Sequence, residues 1–519
     1  MVAPKEGLPV RFQMWHFVLL MVAAGRAQVP GSDFHPVIPR TWDDEQIASL
    51  EVPLANPLGS PKHVSADYYY RIPVRTIYRQ YPVYPPGHGP EGYIGWLRQQ
   101  EPEILWGEDK DGKKHSPPLK TESDWIKAGE IVFDSMLGSF PLADKDLETL
   151  GESASKRGIP LAKDGNLPFI VFRIIQKGRI ELGGGSCASC HTRLMPDGTL
   201  LKGAQGNIPF DRIYAEDLRA GLRGPIESAR SFERSLFAGL FQRPDPLDRL
   251  QEMSIEELAS IHEAIPPGVI ARHRASPFYP VQVPDLIGVK DRKYLDHTGL
   301  QLHRSIADLM RYAALNQGVD FLASFNGFIP MGGPQMNKLP EPEASPIQRY
   351  SDEQLYALAL FVYSLQPPPN PNRFDASARR GQMVFQRERC AECHTPPLYT
   401  NNALLPAPGF TVPADHPNRY TILQVSIGTD PNLTMNTRRG TGYYKTPSLK
   451  GVWYRGMFEH SGSVATLEDW FDPRRLKNDY VPTGFQGYGV KTRAVPGHPF
   501  GLDLSLEDKK ALLAFLGTL

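Results

Sequence analysis

All four cysteines of this chain lie in two copies of one motif, in which two thiols stand three positions apart and a histidine follows directly. The copies read Cys187-Ala-Ser-Cys190-His191 and Cys390-Ala-Glu-Cys393-His394. Such a pair of thiols can form thioethers with the two vinyl groups of a haem, and the histidine after them then binds the iron. The motifs therefore predict two covalently bound haem c groups, with His191 and His394 as iron ligands.

Three other uses of paired cysteines explain less of the pattern. A zinc site places its two pairs about 15–20 residues apart, whereas these lie about 200 residues apart. A redox-active dithiol is expected beside a βαβ pattern, which surrounds neither motif. Structural disulfides are common in exported proteins but leave both histidines unexplained.

The composition is that of a globular protein. The 519 residues are 41% hydrophobic and 22% charged, which is close to the average for proteins that fold in water. Lys and Arg together number 57, as do Asp and Glu, so the net charge predicts no nucleic-acid partner. The 50 prolines are about twice the usual share and predict long irregular connections.

Residues 1–27 have the order of a secretory signal. Lys5 and Arg11 precede the apolar run Trp15–Ala24, and small residues lead to a predicted cleavage site after Ala27. The run is much shorter than the roughly 20 residues that span a bilayer, and no later apolar run is long enough. We therefore expect a mature chain without a membrane span that is periplasmic or secreted.

Three landmarks recur in the same order in both halves of the chain. They are 128–133 and 380–385 before the motifs, 283–299 and 446–462 after them, and the helical patterns 351–365 and 505–519. Each helical pattern opens with a serine that can cap the first turn and repeats apolar residues at three- and four-residue spacing. The second landmark contains a histidine in each copy, His297 and His460. Their repetition favours a shared structural role, such as a hydrogen bond to a haem propionate, over catalysis.

This repeat predicts a mainly α fold made of two cytochrome c-like domains, 120–366 and 373–519. A proline-rich linker, 367–372, joins them. The first copy carries two insertions, which usually lie on the surface or over a site. Residues 28–119 are rich in proline and tyrosine, and we interpret them as an extended arm that covers the domains. A surface for a substrate or a protein is the alternative.

The doubled set of motifs, from Gly381-Gln-Met-Val-Phe385 to Thr446-Pro-Ser-Leu-Lys-Gly-Val452 and the closing helix, resembles the bacterial dihaem cytochrome c peroxidase superfamily. That superfamily also contains MauG and the dihaem rubber oxygenases. The resemblance covers about 120–519. It implies two mostly helical cytochrome c folds packed face to face, with electrons moving between the haems. A calcium ion is known in the superfamily, and no ligands for it can be assigned here.

The resemblance also bears on the sixth ligand of the second haem. Peroxidases of the group supply a methionine at a position that falls near Arg474 here, where no methionine stands. The segment around His498, Pro-Gly-His-Pro-Phe-Gly, resembles a Gly-His motif of the rubber oxygenases and implies His498 as that ligand. A surface histidine in a turn is the plain alternative, and Met457 and Met435 are alternative ligands.

The first haem lacks an evident second ligand. Peroxidases of the group place a distal histidine soon after the motif, but the next histidine after His191 is His262. Iron with an open position can bind peroxide or dioxygen, so the first haem is the predicted reaction centre. The resemblance to rubber oxygenases implies a distal phenylalanine, either Phe325 or Phe321, although aromatic residues are more often core.

Met331 and Met336 stand before the first closing helix and are alternative ligands of the first haem. The leading prediction is an oxidoreductase that reduces peroxide or activates dioxygen at the first haem, with a small redox protein as electron donor. One alternative is an oxygenase that cleaves an apolar organic substrate. The other is a non-catalytic electron-transfer subunit.

Overall fold

The computed structural model describes residues 33–519 apart from 144–146, 148–149, 151–153, 155–156, 238–245, 272–274, 319–321, 328, 330–337 and 346. The predicted signal segment, 1–27, therefore lies outside the described residues. Helices account for 33% of the chain and strands for 14%. The strands form several small sheets of two to four strands, so the prediction of a mainly α fold is wrong.

The α-helices and β-strands follow one another in short segments along the chain. The helices are α1 (Asp44–Ala48), α2 (Ala66–Arg71), α3 (Tyr93–Gln99), α4 (Glu122–Asp134), α5 (Cys187–Cys190), α6 (Phe210–Arg219), α7 (Ile226–Phe237), α8 (Pro246–Glu252), α9 (Ile255–Glu263), α10 (Ile306–Gly318), α11 (Asp352–Ser364), α12 (Ala376–Arg387), α13 (His416–Arg419), α14 (Asn432–Met435), α15 (Leu467–Trp470) and α16 (Leu506–Gly517). The strands are β1 (Pro61–His63), β2 (Ile77–Tyr78), β3 (Gln80–Pro82), β4 (Ile104–Glu108), β5 (Lys114–His115), β6 (Gly138–Pro141), β7 (Ile170–Gln176), β8 (Arg179–Gly184), β9 (Thr192–Leu194), β10 (Leu200–Lys202), β11 (Val269–Ile270), β12 (Val281–Gln282), β13 (Tyr294–Leu295), β14 (Gln301–Leu302), β15 (Ala323–Phe325), β16 (Leu404–Pro406) and β17 (Tyr443–Lys445).

One helix–helix contact occurs twice, once in each repeat. A Cβ atom built on Gly129 of α4 would lie 1.9 Å from the carbonyl oxygen of Ala357 in α11. A Cβ atom on Gly381 of α12 would lie 1.9 Å from the carbonyl oxygen of Ala511 in α16. Glycine at both sites lets the two helix backbones approach closely. The serines predicted to cap the closing helices do so, because the Ser351 and Ser505 side chains each accept a backbone N–H of the first turn.

The strands that the mainly α prediction missed lie largely in the first insertion and the amino-terminal extension. The four-stranded sheet has the order β3-β7-β8-β6, and β7 and β8 form a hairpin across Lys177 and Gly178. Gly178 has a positive φ of 81°, which such tight turns require. The sequence signal for this hairpin was a run rich in β-branched residues, 170–175, before the Lys-Gly pair and the alternating apolar residues Ile180 and Leu182 after it.

The described part of the amino-terminal extension packs onto the first repeat. Trp42 and Tyr69 are fully buried and stack with ring centroids 4.5 Å apart. They belong to the same apolar cluster as Phe133 of α4 and Phe361 of α11. The extension therefore covers one side of the α4–α11 pair. Among the described residues, no helix is long and apolar enough to cross a membrane.

Candidate cofactor-binding sites

The first Cys-x-x-Cys-His motif forms the short helix α5. Ser186 caps it by accepting the backbone N–H of Ser189. The Nδ1 atom of His191 lies 3.0 Å from the carbonyl oxygen of Pro284, so it donates a hydrogen bond there and leaves the Nε2 lone pair for a metal. Burial lowers the pKa of His191 to about 4, which keeps the imidazole neutral at neutral pH.

The second motif repeats this arrangement with the matching proline. Residues Cys390–Glu392 form one 3-10 turn. The Nδ1 atom of His394 lies 3.2 Å from the carbonyl oxygens of both Pro447 and Tyr399, and burial lowers the pKa of its imidazole. No disulfide joins any of the four cysteines. Both proximal histidines are therefore oriented by carbonyl groups of the second landmark.

The structure brings His498 opposite His394. Their ring centroids are 6.3 Å apart with 55° between the ring planes. His498 adopts a positive φ of 47°, and its Nδ1 atom is buried with no hydrogen-bond partner among the described residues. Burial, followed by the nearby His394, lowers the pKa of His498 to about 3. His498 is thus a buried, neutral imidazole that faces the second motif.

Arg475 holds the backbone around His498 in place. Its guanidinium is fully buried and donates to the carbonyl oxygens of Val495 at 2.8 Å, Gly497 at 2.9 Å and His498 at 2.7 Å. Its central carbon also lies 4.7 Å from the ring centroid of Trp470. Three donors to one loop fix the strained turn that carries His498. Sequence reasoning missed Arg475, because nothing in its spacing links it to residues 495–498.

The alternative ligands of the second haem lie in other surroundings. Met457 packs against an apolar cluster that includes Val269 and Phe485. Met435 lines a cleft of about 770 Å3 between residues 54–59 and 435–440. Neither environment is the one around His394 and His498. Both methionines therefore remain weaker candidates than His498.

Of the predicted distal phenylalanines and the alternative methionine ligands of the first haem, only Phe325 is described. It lies in β15, is 1% exposed, and pairs across β1 with Pro61. The guanidinium carbon of Arg438 lies 4.3 Å above its ring centroid, so one face of Phe325 is covered by a cation, a feature that the sequence did not reveal. Phe321, Met331 and Met336 lie outside the described residues.

Two backbone hydrogen bonds cross between the repeats in a reciprocal way. The N–H of Gln282 donates to the carbonyl of His460 at 2.8 Å, and the N–H of Lys445 donates to the carbonyl of His297 at 2.9 Å. Each donor stands two residues before the proline, Pro284 or Pro447, that holds a proximal histidine. The backbone segments that bind His191 and His394 are therefore hydrogen-bonded to the second landmark of the opposite repeat.

The rings of the landmark histidines are engaged by protein groups. His297 Nε2 lies 2.9 Å from the carbonyl oxygen of Gln282. The His460 ring contacts the Glu459 carboxylate and lies 3.2 Å from the Tyr444 hydroxyl. The two rings have different partners, and a role that both histidines share stays a prediction.

Buried cations gather beside these segments. Arg292 donates to the carbonyls of Asp285 and Ile287, and Arg455 donates to that of Ser448. Burial lowers the pKa of Arg292, and the charge of the Asp285 carboxylate offsets only part of this decrease. Burial, followed by the charges of Arg292 and Arg455, holds the pKa of Lys445 well below its usual range. The cluster carries more positive than negative charge and is suited to an anionic group.

A second buried charge cluster lies in the second insertion. His262 is 2% exposed and stands between two buried carboxylates, with Nδ1 2.8 Å from Asp211 and Nε2 3.0 Å from Glu233. Burial lowers the pKa of His262, but the charge of Glu233 and the hydrogen bond to Asp211 outweigh it and raise the pKa to about 9. An imidazolium therefore holds α6, α7 and α9 together at neutral pH.

Glu233→Gln tests this cluster through its pH dependence. Because the folded pKa of His262 is raised above its usual 6.5, the ion pair stabilises the fold fully below about pH 6.5 and loses that effect as pH rises through about 9. We expect the variant to lose about 3 kcal/mol of unfolding free energy at pH 6 and much less at pH 10. Urea unfolding at both values measures this, and a loss that is independent of pH would contradict it.

No group of three His, Cys, Asp or Glu residues in the described part of the chain is arranged to hold a metal ion. No family model matches the sequence, and no curated protein matches it.

Two solved structures show weak similarity. A hydrazine synthase from Kuenenia stuttgartiensis is 15% identical, with 50% of this chain and 79% of that chain covered and a TM-score of 0.29. A MauG-like protein associated with microbial copper homeostasis is 17% identical, with coverages of 46% and 73% and a TM-score of 0.26. MauG belongs to the superfamily that the two motifs resemble. Similarity at this level supports no conclusion about fold or function.

Proposed function

We propose that this chain is an exported, dihaem c-type cytochrome that acts as an oxidoreductase. The haem on Cys187, Cys190 and His191 would reduce peroxide or activate dioxygen, and the haem on Cys390, Cys393 and His394 would transfer electrons. The proposal depends chiefly on one observation, the placement of His498 opposite His394. A small redox protein would supply electrons in the periplasm or outside the cell.

The distance between the two imidazoles fits one iron between them. A metal–imidazole bond is about 2 Å long and the ring centre lies about 1 Å beyond the nitrogen, so two imidazoles on opposite sides of one iron have centres about 6 Å apart. The centroids of His394 and His498 are 6.3 Å apart. Iron binding would also give a reason for holding a buried, neutral imidazole in a left-handed turn directly opposite His394.

The cation cluster fits the anionic edge of a haem. Haem carries two propionate groups, and Arg292, Arg455 and Lys445 are buried cations with a shortage of carboxylates around them. Propionates placed there would offset the unfavourable burial of these charges. A c-type haem supplies an iron that changes oxidation state by one electron and, where a ligand position is open, binds peroxide or dioxygen.

The protein's own residues would set the behaviour of each iron. The Pro284 and Pro447 carbonyls accept the Nδ1–H of His191 and His394, which fixes both tautomers and makes the imidazoles stronger donors to a metal. Arg475 positions the loop of His498. The short path between the landmarks of the two repeats would favour electron transfer from one haem to the other.

The experiment that tests the proposal is the spectrum and mass of the full chain, produced in a host that matures c-type cytochromes. Two haem masses per chain and a spectrum with one high-spin and one low-spin haem are expected. A colourless product would refute the proposal. Turnover of hydrogen peroxide with an electron donor would then indicate a peroxidase, and oxygen uptake without one an oxygenase. Two six-coordinate haems with neither activity would indicate an electron-transfer subunit.

His498→Ala should convert the second haem from low-spin to high-spin. The change removes one of the two imidazoles and leaves His394 in place, so carbon monoxide binding to the reduced protein is expected to rise from one to two molecules per chain. His416→Ala is the matched control, since that buried histidine instead pairs with the Tyr443 hydroxyl at 2.8 Å. An unchanged spectrum in the His498 variant would exclude it as a ligand.

A further inference from the structure

A small cavity beside the first repeat is lined by two arginines. It has room for about one particle the size of a water molecule, and its walls include Arg75, Tyr78, Gln80 and Arg173. The cavity lies beside the edge strand β3 and its neighbour β7, which contribute Gln80 and Arg173. Its residues have no part in the proposed haem chemistry.

Arg75 has no ionic partner. Its Nη1 donates to the carbonyl of Leu137 at 2.9 Å, while its Nε–H is buried with no hydrogen-bond acceptor. No carboxylate pairs with it anywhere in the described ranges. Burial lowers the pKa of its guanidinium, and Arg173 lowers it further although the Tyr350 phenol opposes this. An anion close to this guanidinium would stabilise its charged form, because no carboxylate pairs with it and its Nε–H has no acceptor.

Arg173 adds to the same excess of positive charge. Its Nη2 donates to the Ser139 hydroxyl, and its Nε–H is also buried without an acceptor. The nearest carboxylate, Glu181, lies 3.6 Å from Arg173 and is shared with Arg179 at 3.3 Å. Arg75, Arg173 and Arg179 thus have one carboxylate between them, and two buried donors remain unsatisfied at one cavity.

Gln80 supplies a third polar group. Its side-chain oxygen is buried without a donor, and turning the amide by a half-rotation would present its NH2 group to the cavity instead. An unsatisfied buried donor costs about 1–3 kcal/mol. A water molecule could accept hydrogen bonds from these donors but would not reduce the excess of positive charge. An anion would do both.

We propose that this cavity is a binding site for a small inorganic monoanion, with chloride as the occupant in ordinary buffers. The two Nε–H groups and the turned Gln80 amide would donate to it, and it would neutralise part of the charge of Arg75 and Arg173. The site would link β2, β3 and β7 to the end of α4, because Ser135 also lines the cavity.

The test uses the full chain and compares anions at constant ionic strength. Replacing sodium gluconate by sodium chloride or bromide should raise the thermal midpoint by about 2 °C in a saturable way. Arg75→Met should abolish that rise. Arg79→Met is the matched control and should keep it, because Arg79 is exposed and pairs with Glu103 at 2.8 Å outside the cavity.

Crystals of the full chain in bromide keep the proposal testable if Arg75→Met does not fold. An anomalous peak within hydrogen-bond distance of the Nε atoms of Arg75 and Arg173 is expected. Absence of that peak would overturn the proposal and identify the occupant as water. Displacement of bromide by low concentrations of sulfate or phosphate would overturn the assignment to a small monoanion.

Discussion

The double variant Cys390→Ser/Cys393→Ser is expected to carry one haem per chain instead of two. The serines cannot form thioethers, so His394 and His498 alone would have to retain a haem that is no longer covalently attached. The low-spin component, which we assign to these two imidazoles, should disappear, and the remaining spectrum should be that of the first haem. Electrospray mass and the pyridine haemochrome absorbance measure the loss.

The reciprocal variant Cys187→Ser/Cys190→Ser is the control. It should lose the high-spin component and retain the low-spin one, because it leaves the second motif and His498 unchanged. Loss of the same spectral component in both variants would contradict the separate assignment of the two haems.

Gly381→Ala is expected to destabilise the protein by about 3 kcal/mol or more. The new methyl group would lie 1.9 Å from the Ala511 carbonyl oxygen and 2.7 Å from Cβ of Phe515, both on α16, so the two helices must separate. Overpacking usually costs about 1–3 kcal/mol, and a clash with backbone falls at the upper end of that range. Urea unfolding, read as a shift of the midpoint, measures the loss.

Gly95→Ala is a matched control for this substitution. Gly95 is exposed in α3, and a Cβ atom there would meet nothing within 4 Å, so the change should be neutral or stabilise the helix by up to about 1 kcal/mol. Gly129→Ala should repeat the loss in the first repeat, because its Cβ atom would also lie 1.9 Å from a carbonyl oxygen. Wild-type stability of Gly381→Ala would show that the helices can move apart freely.

Local patterns were the part of the fold that the sequence predicted well. The closing helices, with Ser351 and Ser505 as caps, follow from spacing and from capping chemistry within one turn. The glycines at the two helix–helix contacts, Gly129 and Gly381, occupy matching positions of the repeat that the sequence showed. The juxtaposition of His394 and His498 agrees with the ligand pair predicted from the motif and the Gly-His segment, and the ligand assignment itself stays a prediction, as do the domain boundaries.

Features that depend on distant parts of the chain were missed. The sheet of β3, β6, β7 and β8 joins the extension to the first insertion, and pairing between such distant segments leaves little trace in local spacing. Arg475 looks like an ordinary surface cation in the sequence, yet its side chain is fully buried, because its neighbours in space come from other segments. Burial is decided by tertiary packing, which the residue type alone does not indicate.

The backbone hydrogen bonds from Gln282 to His460 and from Lys445 to His297 resemble an isologous contact. In such a contact, the same position in each half donates to the same position in the other half. Such reciprocity is what two protomers of a twofold homodimer display. The chain thus has the organisation of a dimer whose subunits were fused end to end. A chain with a single copy of the repeat would need a second copy of itself to make the same contacts.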